Sequence, residues 1–453
     1  MEKIIKNLYS LDRHLLGDGY DKALEYINKI IPLEILEFKT GTDIGGWIIP
    51  PEWVVKDAWV KYKGKKIIDY KNNPLVLMDY SEPIHGICQL EELKKHLFIS
   101  DEMPDELSYE HSFYEPNWGF SIPKNYALKE KTSVWKKLFD LCKECKDFEG
   151  EKIKVKVLGA KEKEEKIEYI DKLPKGEYEV FIDTEKKQGT LKIGVHTIKG
   201  KTDREILLFA HLDHPYQAND NLSGVACLID LTKQLENKFE HTIKIIFCPE
   251  TIGSIAYAFS QDILKVDFVI AVDAVGNDNT LLIQKAYNKY DRINYAVHLA
   301  VQELGVSYRK GDFRLLIGSD ESVFNDSLIG ISGIMLSRYP YKEYHTSADK
   351  PEIIKKDKLK ETQEVILKTI EIYEKDFIPQ RKLRGMLMRS RYGLQTPHKY
   401  LNRDLDYLWA DIDGKKWLSE IVIGLGCTFD YASKFLSKLK DENIVFDISQ
   451  IRQ

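Results

Sequence analysis

Apolar runs and amphipathic segments alternate along residues 176–378, and this alternation is the clearest pattern in the chain. The runs that predict strands are EYEVFID, GTLKIGVH, EILLFAH, TIKIIFC, DFVIAVDAVG and SGIMLS. The segments that predict helices are NLSGVACLIDLTKQLEN, IGSIAYAFSQDILK, INYAVHLAVQELG and DKLKETQEVILKTIEIYEKDF. Because most of the strands are apolar on both faces, the pattern predicts an α/β fold, with a mixed, mostly parallel sheet between two layers of helices.

The flanking segments have different patterns. Residues 3–31 predict one or two amphipathic helices, and LEILEF, directly after them, predicts a first strand. Between residues 46 and 174, tryptophan, tyrosine and proline are frequent, and alternating positions predict β-hairpins, one of them with a turn at Gly64. After residue 378 the predicted order is helix, short turn, helix and strand, which is the outline of a winged helix.

These patterns predict three domains, since a chain of 453 residues is too long for one ordinary core. Residues 1–45 and 175–378 would form the α/β domain. Residues 46–174 would form an inserted β-rich domain, and residues 379–453 a winged-helix-like domain.

Composition and charge narrow the classes of function. The net charge of −5 argues against general binding of nucleic acid. No window approaches the ~20 apolar residues of a membrane span, and the first residues lack the apolar core of a signal peptide. The six cysteines are widely spaced, apart from Cys142 and Cys145, which is typical of reduced residues and predicts a cytoplasmic protein.

Acidic and imidazole side chains follow the predicted strands, at the place where ligands gather in open α/β sheets. These residues are His211, Asp213, Asp220, Glu250, Asp273 and His345. Successive strands therefore deliver an acid or an imidazole to one edge of the sheet. Imidazole and carboxylate groups without cysteine suit zinc in an open catalytic site. A carboxylate in the loop at Asp220 could also bridge two ions ~3.5–4 Å apart.

The segment AHLDHPYQANDNLSGVA resembles the first metal motif of the zinc exopeptidases that include bacterial leucyl aminopeptidases, glutamate carboxypeptidase and glutaminyl cyclase. PET at 249–251, VDAVG at 272–276 and YHTSAD at 344–349 resemble the later motifs, in the same order. The most similar branch is bacterial and aminopeptidase-like, with a β-rich domain inserted into the peptidase fold and a winged helix after it. KTGTDIGGWIIPPEWVVKDAWV and EPNWGFSIP resemble that insert, so the resemblance covers nearly the whole chain.

The resemblance implies a three-layer αβα zinc-exopeptidase fold and a role for each motif residue. The implied ligands of one or two zinc ions are His211, Asp220, Asp273 and His345, with Asp220 shared between two ions. The resemblance further implies that Glu250 is the general base that takes a proton from water. It implies that Asp213 orients His211.

One departure from the family pattern leaves the number of zinc ions open. Two-zinc relatives have a second acid after the catalytic glutamate, whereas this chain has Thr251, and a hydroxyl is a poor zinc ligand. Glu321 could compensate as a ligand, or could bind the ammonium group of a substrate. One zinc ion and a weak second site are both compatible with this pattern. We interpret His214 as a residue at the rim, with a ligand role as the alternative.

The predicted activity is that of a zinc-dependent, metallo-aminopeptidase-like hydrolase that cleaves an amide bond near a free amino terminus. One alternative is a zinc amidohydrolase that acts on a non-peptide substrate such as an acylated amino sugar. Another is a non-catalytic regulatory or binding protein on the same scaffold. We expect a small peptide or amide substrate, no membrane partner, and a homo-oligomer formed through the winged helix. The segment TFDYASKFLSKLKDE pairs three lysines with three acids, so it lacks the basic face of a nucleic-acid reader.

Overall fold

The computed structural model describes residues 1–127, 173–236, 238–394 and 399–449. The Cys142 and Cys145 pair, and part of the predicted insert, lie outside these residues. The helices are α1 (Glu2–Tyr9), α2 (Asp18–Asn28), α3 (Leu90–Leu93), α4 (Lys124–Ala127), α5 (Gly224–Leu235), α6 (Ile252–Ser260), α7 (Arg292–Leu304), α8 (Glu321–Phe324), α9 (Lys356–Lys375), α10 (Lys399–Asp411), α11 (Leu418–Val422) and α12 (Phe429–Asp441). None of the helices in the described ranges combines the length and the apolarity that a membrane crossing requires.

The strands form one large sheet and several small ones. They are β1 (Glu34–Lys39), β2 (Asp43–Ile44), β3 (Trp47–Ile48), β4 (Glu52–Tyr62), β5 (Lys65–Asp69), β6 (Ile84–Gln89), β7 (Leu97–Phe98), β8 (Phe120–Ser121), β9 (Glu177–Lys187), β10 (Thr190–Ile198), β11 (Glu205–His211), β12 (Thr242–Cys248), β13 (Val266–Asp273), β14 (Leu281–Gln284), β15 (Tyr308–Gly311), β16 (Ser332–Ser337), β17 (Pro379–Arg381) and β18 (Val445–Asp447). The eight-stranded sheet has the order β1-β10-β12-β11-β13-β16-β14-β15. Its central strands β12, β11, β13 and β16 are parallel, and antiparallel pairs flank them, which confirms the predicted mixed sheet.

Both faces of the sheet are buried at its central strands, and β11 shows why the sequence of such a strand is apolar. Ile206, Leu208 and Ala210 point into an apolar cluster that also contains residues of α5, α7 and α9. Leu207 and Phe209 point to the opposite face, into a second cluster with residues of α6. A strand covered on both sides cannot alternate apolar with polar positions. The predicted three-layer αβα arrangement is therefore confirmed.

The β-rich part contains a four-stranded sheet with the order β5-β4-β9-β6. The β4–β5 hairpin turns at Lys63 and Gly64, both with positive φ, which confirms the predicted turn at Gly64. Strand β9 pairs with β4 and β6 in this sheet, although the sequence analysis assigned its segment to the α/β domain. Trp53 and Val60 of β4 share one apolar cluster with Leu207 of the large sheet. The domain limits themselves stay a prediction, but the two sheets share a continuous core.

The C-terminal segment consists of α10, α11, α12 and the antiparallel pair β17–β18. Hydrogen bonds are among the contacts that attach it to the α/β part. Asp376, just after α9, accepts hydrogen bonds from the backbone N–H and the hydroxyl of Ser419, at 2.9 and 2.6 Å. Glu303 in α7 accepts a hydrogen bond from the backbone N–H of Phe429 at 2.5 Å. The assignment of this segment as a winged helix stays a prediction.

Candidate metal centre

The carboxyl ends of β11, β12, β13 and β16 lie side by side because these strands are parallel neighbours. His211 is the last residue of β11, and Asp273 is the last residue of β13. Glu250 follows β12, and His345 lies in the loop after β16. Asp220 lies in an irregular turn, Ala218–Ser223, between β11 and α5. The topology therefore brings the predicted residues to one edge of the sheet.

The predicted ligand atoms lie within a few ångströms of one another. His211 Nε2 is 2.8 Å from Asp220 Oδ1 and 4.0 Å from Asp273 Oδ1. His345 Nε2 is 2.9 Å from the other oxygen of Asp220, Oδ2. Asp220 therefore lies between the imidazoles of His211 and His345, a position that a shared ligand would occupy.

Three groups among the described residues bring their ligand atoms within 4.8 Å of one another. The groups are His211–Asp220–Asp273, His214–Asp220–His345 and His211–His214–Glu250. His211, Asp220 and Asp273 are only 1%, 2% and 3% exposed. Three residues each belong to two of these groups, which places them at the centre of the cluster: His211, His214 and Asp220.

Unpartnered polar atoms allow a test of whether these residues fit a metal ion. Among the described residues, Asp273 Oδ1 and His345 Nε2 are buried and have no hydrogen-bond partner. His345 Nε2 approaches Asp220 closely, but without the geometry of a hydrogen bond. A buried polar atom without a partner costs about 1–3 kcal/mol, so such atoms require an explanation. A divalent cation explains them, and a donor set of imidazole nitrogen and carboxylate oxygen fits zinc.

The electrostatics of the cluster also fit a cation. Burial opposes a charge on His211, but the carboxylates of Glu250, Asp273 and Asp220 together raise the pKa of His211 well above its usual value. Burial raises the pKa of Asp273 well above normal, and the neighbouring carboxylates add to that effect. The neighbouring carboxylates therefore favour protons, or another positive charge, within the cluster. A metal ion requires neutral imidazoles and ionised carboxylates, so it would compete with these protons.

Asp213 does not have the contact that its implied role requires. Its Oδ1 accepts a hydrogen bond from the backbone N–H of Glu250 at 2.9 Å, so it fixes the position of Glu250 instead. The Nδ1 atom of His211 lies 3.4 Å from Asn221 Nδ2 and 4.0 Å from Asp320 Oδ2. None of the hydrogen bonds or ion pairs among the described residues joins the Asp213 carboxylate to His211.

Glu321 is not brought into the cluster. It is fully buried, and it belongs to none of the three groups found among the described residues. Its Oε1 accepts hydrogen bonds from Gln284 Nε2 at 3.0 Å and Ser322 Oγ at 3.1 Å, and its Oε2 accepts one from the backbone of Ser319 at 3.1 Å. Burial raises the pKa of Glu321 to about 7. The geometry therefore supports neither of the two roles considered for Glu321.

His214 differs from the interpretation as a rim residue. It is only 3% exposed, and its ring centroid lies 4.9 Å from that of His211 and 5.4 Å from that of His345. The interpretation was wrong because a polar residue in a loop after a strand is usually exposed, whereas this loop folds back over the sheet edge.

Comparison with known proteins places this geometry in a family. The family model described as a domain of unknown function, DUF4910, matches residues 2–376. The chain belongs to the DUF4910 family. This DUF4910 member has a relative in Clostridium acetobutylicum. The provisional name of that relative is polysaccharide biosynthesis protein with aminopeptidase-like domain. The two are 33% identical over 373 residues, which cover 81% of this chain and 76% of that protein.

Solved structures confirm the fold of this DUF4910 member. A crystal structure from Clostridium acetobutylicum, provisionally named a peptidase, has a TM-score of 0.73 and 28% identity, and the match covers 98% of this chain and 95% of that one. A zinc aminopeptidase from Bacillus subtilis has a TM-score of 0.53 and 12% identity, with 82% and 94% covered. An M28 peptidase precursor from Shewanella amazonensis has a TM-score of 0.53 and 14% identity, with 82% and 92% covered. At such low identity the last two show the fold alone, which is that of zinc aminopeptidases and M28 peptidases.

Sequence reasoning missed a carboxylate that holds the Asp220 turn of this DUF4910 member. Asp349 is fully buried and accepts hydrogen bonds from the backbone N–H groups of Asn219 at 2.6 Å and Asp220 at 3.1 Å. It also accepts one from the hydroxyl of Tyr341 at 2.8 Å. Asp349 is the last residue of YHTSAD, but nothing in that motif indicates that its carboxylate fixes the backbone of a distant loop.

Sequence reasoning also missed Arg13. Its guanidinium is fully buried and donates to the carbonyl groups of the loop that follows β11. The acceptors are Leu212 O and Asp213 O at 2.6 Å, His214 O at 2.7 Å and Gln217 O at 3.1 Å. One side chain from the N-terminal segment thus fixes the loop that carries His214 and leads to Asp220.

The β-rich part holds the loop that carries His345. The backbone N–H of Tyr109 donates to the carbonyl of His345 at 2.7 Å. Two further hydrogen bonds join Leu107 and Ser347. The backbone N–H of Ser347 donates to the carbonyl of Leu107 at 2.8 Å, and the backbone N–H of Leu107 donates to Ser347 Oγ at 2.9 Å. The insert therefore forms its own core and also helps to fix the position of the predicted ligand His345.

Proposed function

We propose that this protein is a zinc-dependent hydrolase of the aminopeptidase type, which cleaves an amide bond near a free amino terminus. One observation supports the proposal most strongly. His211, Asp220 and Asp273 are buried and converge on a common volume, with an unpartnered oxygen on Asp273, beside the carboxylate of Glu250. Structural loops rarely bury such groups together without a ligand to compensate them.

The residues of this chain would hold one zinc ion, or two ions that share Asp220. His211, Asp220 and Asp273 would form the first position. Asp220 and His345 would contribute to the second. When bound, zinc supplies a Lewis acid that polarises the substrate carbonyl and lowers the pKa of a coordinated water.

Glu250 is the proposed general base. Its side chain is 26% exposed, so it lies between the buried cluster and solvent, where water and a substrate amide have access. Its backbone is fixed by the hydrogen bond that Asp213 accepts. The carboxylate takes a proton from the attacking water and gives it to the nitrogen of the leaving amine as the amide bond breaks. No other carboxylate in the three groups is this exposed, since Asp220 and Asp273 are almost fully buried.

A second candidate function is an amidohydrolase that acts on an acylated amino sugar. The provisional name of the Clostridium acetobutylicum relative, which links that protein to polysaccharide biosynthesis, favours this alternative. The same machinery would cleave an N-acyl bond on a sugar, because the groups named here contact the amide and not what flanks it. A purely non-catalytic role is less consistent with the chain, since Glu250 has no structural task that requires a part-exposed carboxylate beside the cluster.

A substrate panel separates the two candidates. Zinc-loaded protein would be assayed with aminoacyl anilides, with the same anilides acetylated at the amino group, and with N-acetylated amino sugars. Aminopeptidase activity predicts cleavage of the first set and none of the second, because a free amino group is required. Release of acetate from the sugars alone would favour the amidohydrolase.

Glu250→Gln tests the role of the base. We expect turnover to fall by about 10²–10⁴-fold, which is the usual contribution of general acid–base catalysis, while bound zinc is retained. Glu91→Gln, in the β-rich part and with a side chain that is 71% exposed, is the control and should retain full activity. If Glu250→Gln turns over at the rate of the wild type, Glu250 is not the base.

A further inference from the structure

His214 is an imidazole that the family pattern does not use and that the structure buries at the centre of the cluster. Its Nδ1 lies 3.5 Å from Asp220 Oδ1. Together with Asp220 and His345 it forms a group whose ligand atoms all lie within 4.8 Å of one another. His214 therefore reaches the second position, where Asp220 and His345 alone would provide only two protein ligands.

The Nδ1 atom of His214 has no hydrogen-bond partner among the described residues, although the side chain is almost fully buried. Most buried side-chain polar atoms in proteins have such a partner, so an ordinary structural histidine would have one. The backbone of His214 is also unusual, with φ of 65° in the left-handed region. Residues held in that region cost about 1–3 kcal/mol, and Arg13 holds this one through the His214 carbonyl.

The second position lacks the acid that two-zinc relatives provide. Thr251 occupies that place in the sequence, and its backbone N–H donates to Asp320 Oδ1 at 3.0 Å. A threonine hydroxyl is a poor zinc ligand, and Glu321 is engaged elsewhere by the hydrogen bond from Gln284. A second ion therefore requires a ligand from another residue.

We propose that His214 is a metal ligand, which binds through Nδ1 and replaces the missing acid, so that His214, Asp220 and His345 form a complete second position. This proposal rests on the proposed function, because it assumes the metal centre at His211, Asp220 and Asp273. It resolves the choice between one and two ions in favour of two. Three protein ligands and an open position are the composition of a catalytic zinc site.

The other ring nitrogen of His214 supports this assignment. Its Nε2 lies 3.7 Å from Asp213 Oδ2 and 3.7 Å from Glu250 Oε2. Asp213 Oδ2 is itself buried and has no hydrogen-bond partner among the described residues. Histidine ligands usually donate their second N–H to a carboxylate, which fixes the ring and selects the nitrogen that binds the metal. The carboxylate of Asp213 is thus at ion-pair distance from His214, whereas none of the contacts among the described residues joins it to His211.

The proposed second position has a defined metal preference. It offers two imidazoles and one shared carboxylate, so it carries less negative charge than a position with an additional acid. Imidazole-rich sites favour zinc, cobalt and nickel over the harder ions magnesium, calcium and manganese. We therefore expect cobalt(II) to be a faithful and visible probe of both positions.

The experiment uses the full-length, metal-free protein and cobalt(II), with calorimetry for stoichiometry and visible absorption for the ligand field. The wild type should bind two ions. His214→Gln should bind one, with the spectrum of the first position unchanged. His214→Glu, which has the same length as the glutamine variant but keeps an ionisable ligand, should recover the second ion. The thermal melting of the two metal-free variants should agree, and this comparison guards against a folding defect. His85→Gln is the surface control, because the His85 side chain is 67% exposed.

Each other outcome overturns the proposal. Two ions in His214→Gln, or a single ion in both the wild type and His214→Gln, would exclude His214 as a ligand and leave the first position intact. Failure of His214→Glu to recover the second ion would also exclude it. Absence of binding by the wild type would overturn the proposed function as well, so the two failures are distinguishable. Asp213→Asn should weaken the second ion by about 10–100-fold without affecting the first.

Discussion

Arg13 offers a sharp test of how the metal loop is held in place. Its buried guanidinium donates to Leu212 O, Asp213 O, His214 O and Gln217 O, and its Nε donates to Leu8 O at 3.1 Å. Burial lowers its pKa to about 10, and nearby carboxylates such as that of Asp213 oppose this effect, so it stays charged at neutral pH. Arg13→Met keeps much of the apolar stem and removes every donor.

The magnitude follows from these contacts. A buried group that loses its partner costs about 1–3 kcal/mol, and breaking a buried charged interaction costs about 3–5 kcal/mol. Relaxation of the loop and entry of water recover part of this loss. We expect the free energy of unfolding to fall by about 4 kcal/mol, within the range for a broken buried charged interaction. Because the loop carries His214 and leads to Asp220, cobalt(II) affinity should fall as well.

The assay is urea-induced unfolding of the metal-free protein, followed by tryptophan fluorescence, together with cobalt(II) titration. Arg13→Lys should have an intermediate stability, because a compact ammonium cannot reach carbonyls that a planar guanidinium spans. Arg204→Met is the matched control. Arg204 also donates to a carbonyl, that of Leu264, but its side chain is 48% exposed, so the loss should stay below about 1 kcal/mol. A stability of Arg13→Met equal to that of Arg204→Met, with unchanged cobalt affinity, would refute this reasoning.

Two further predictions concern buried carboxylates. Asp349→Asn places an amide donor among the backbone donors of the Asp220 turn, so zinc affinity should fall by about 10–100-fold. Competition with a chromogenic chelator measures this affinity. Unchanged affinity would contradict the role of Asp349. Burial raises the pKa of Asp376 from 3.8 to about 6, so the folded state binds its proton more tightly than the unfolded chain does. The stabilisation that this proton provides is present below pH 3.8 and is lost as the pH rises through about 6. Urea titrations across that pH window measure the free energy of unfolding of the wild type and of Asp376→Asn. The wild-type value should fall relative to that of the variant by about 3 kcal/mol, at about 1.4 kcal/mol per pKa unit. Parallel pH curves for the two proteins would contradict this prediction.

The ligand residues could be predicted from the sequence because the topology is local. His211 and Asp273 end apolar strands, and parallel strands next to each other present their carboxyl ends at one edge of the sheet. Each residue could therefore be placed from its own segment, without knowledge of any distant contact. The same reasoning explains the agreement for the strands of the large sheet and for the turn at Gly64.

The supporting residues could not be found in this way. Arg13 lies 199 positions before the first carbonyl of the loop that it contacts, and nothing near it in the sequence indicates that partner. Strands β14 and β15 have only four residues each, too few for a clear pattern, and were not predicted. Strand β9 was predicted as a strand but assigned to the α/β domain, because an apolar pattern does not specify which strand it pairs with.

Zinc titration of metal-free wild-type protein and of Asp220→Asn, side by side by calorimetry, tests the central claim most directly. Asp220 contacts both His211 and His345, so the account predicts tight binding with proton release by the wild type and near-complete loss of binding by the variant. Proton release is read from the dependence of the heat on the ionisation enthalpy of the buffer. Equal binding isotherms for the two proteins, or no zinc binding by the wild type, would contradict the account.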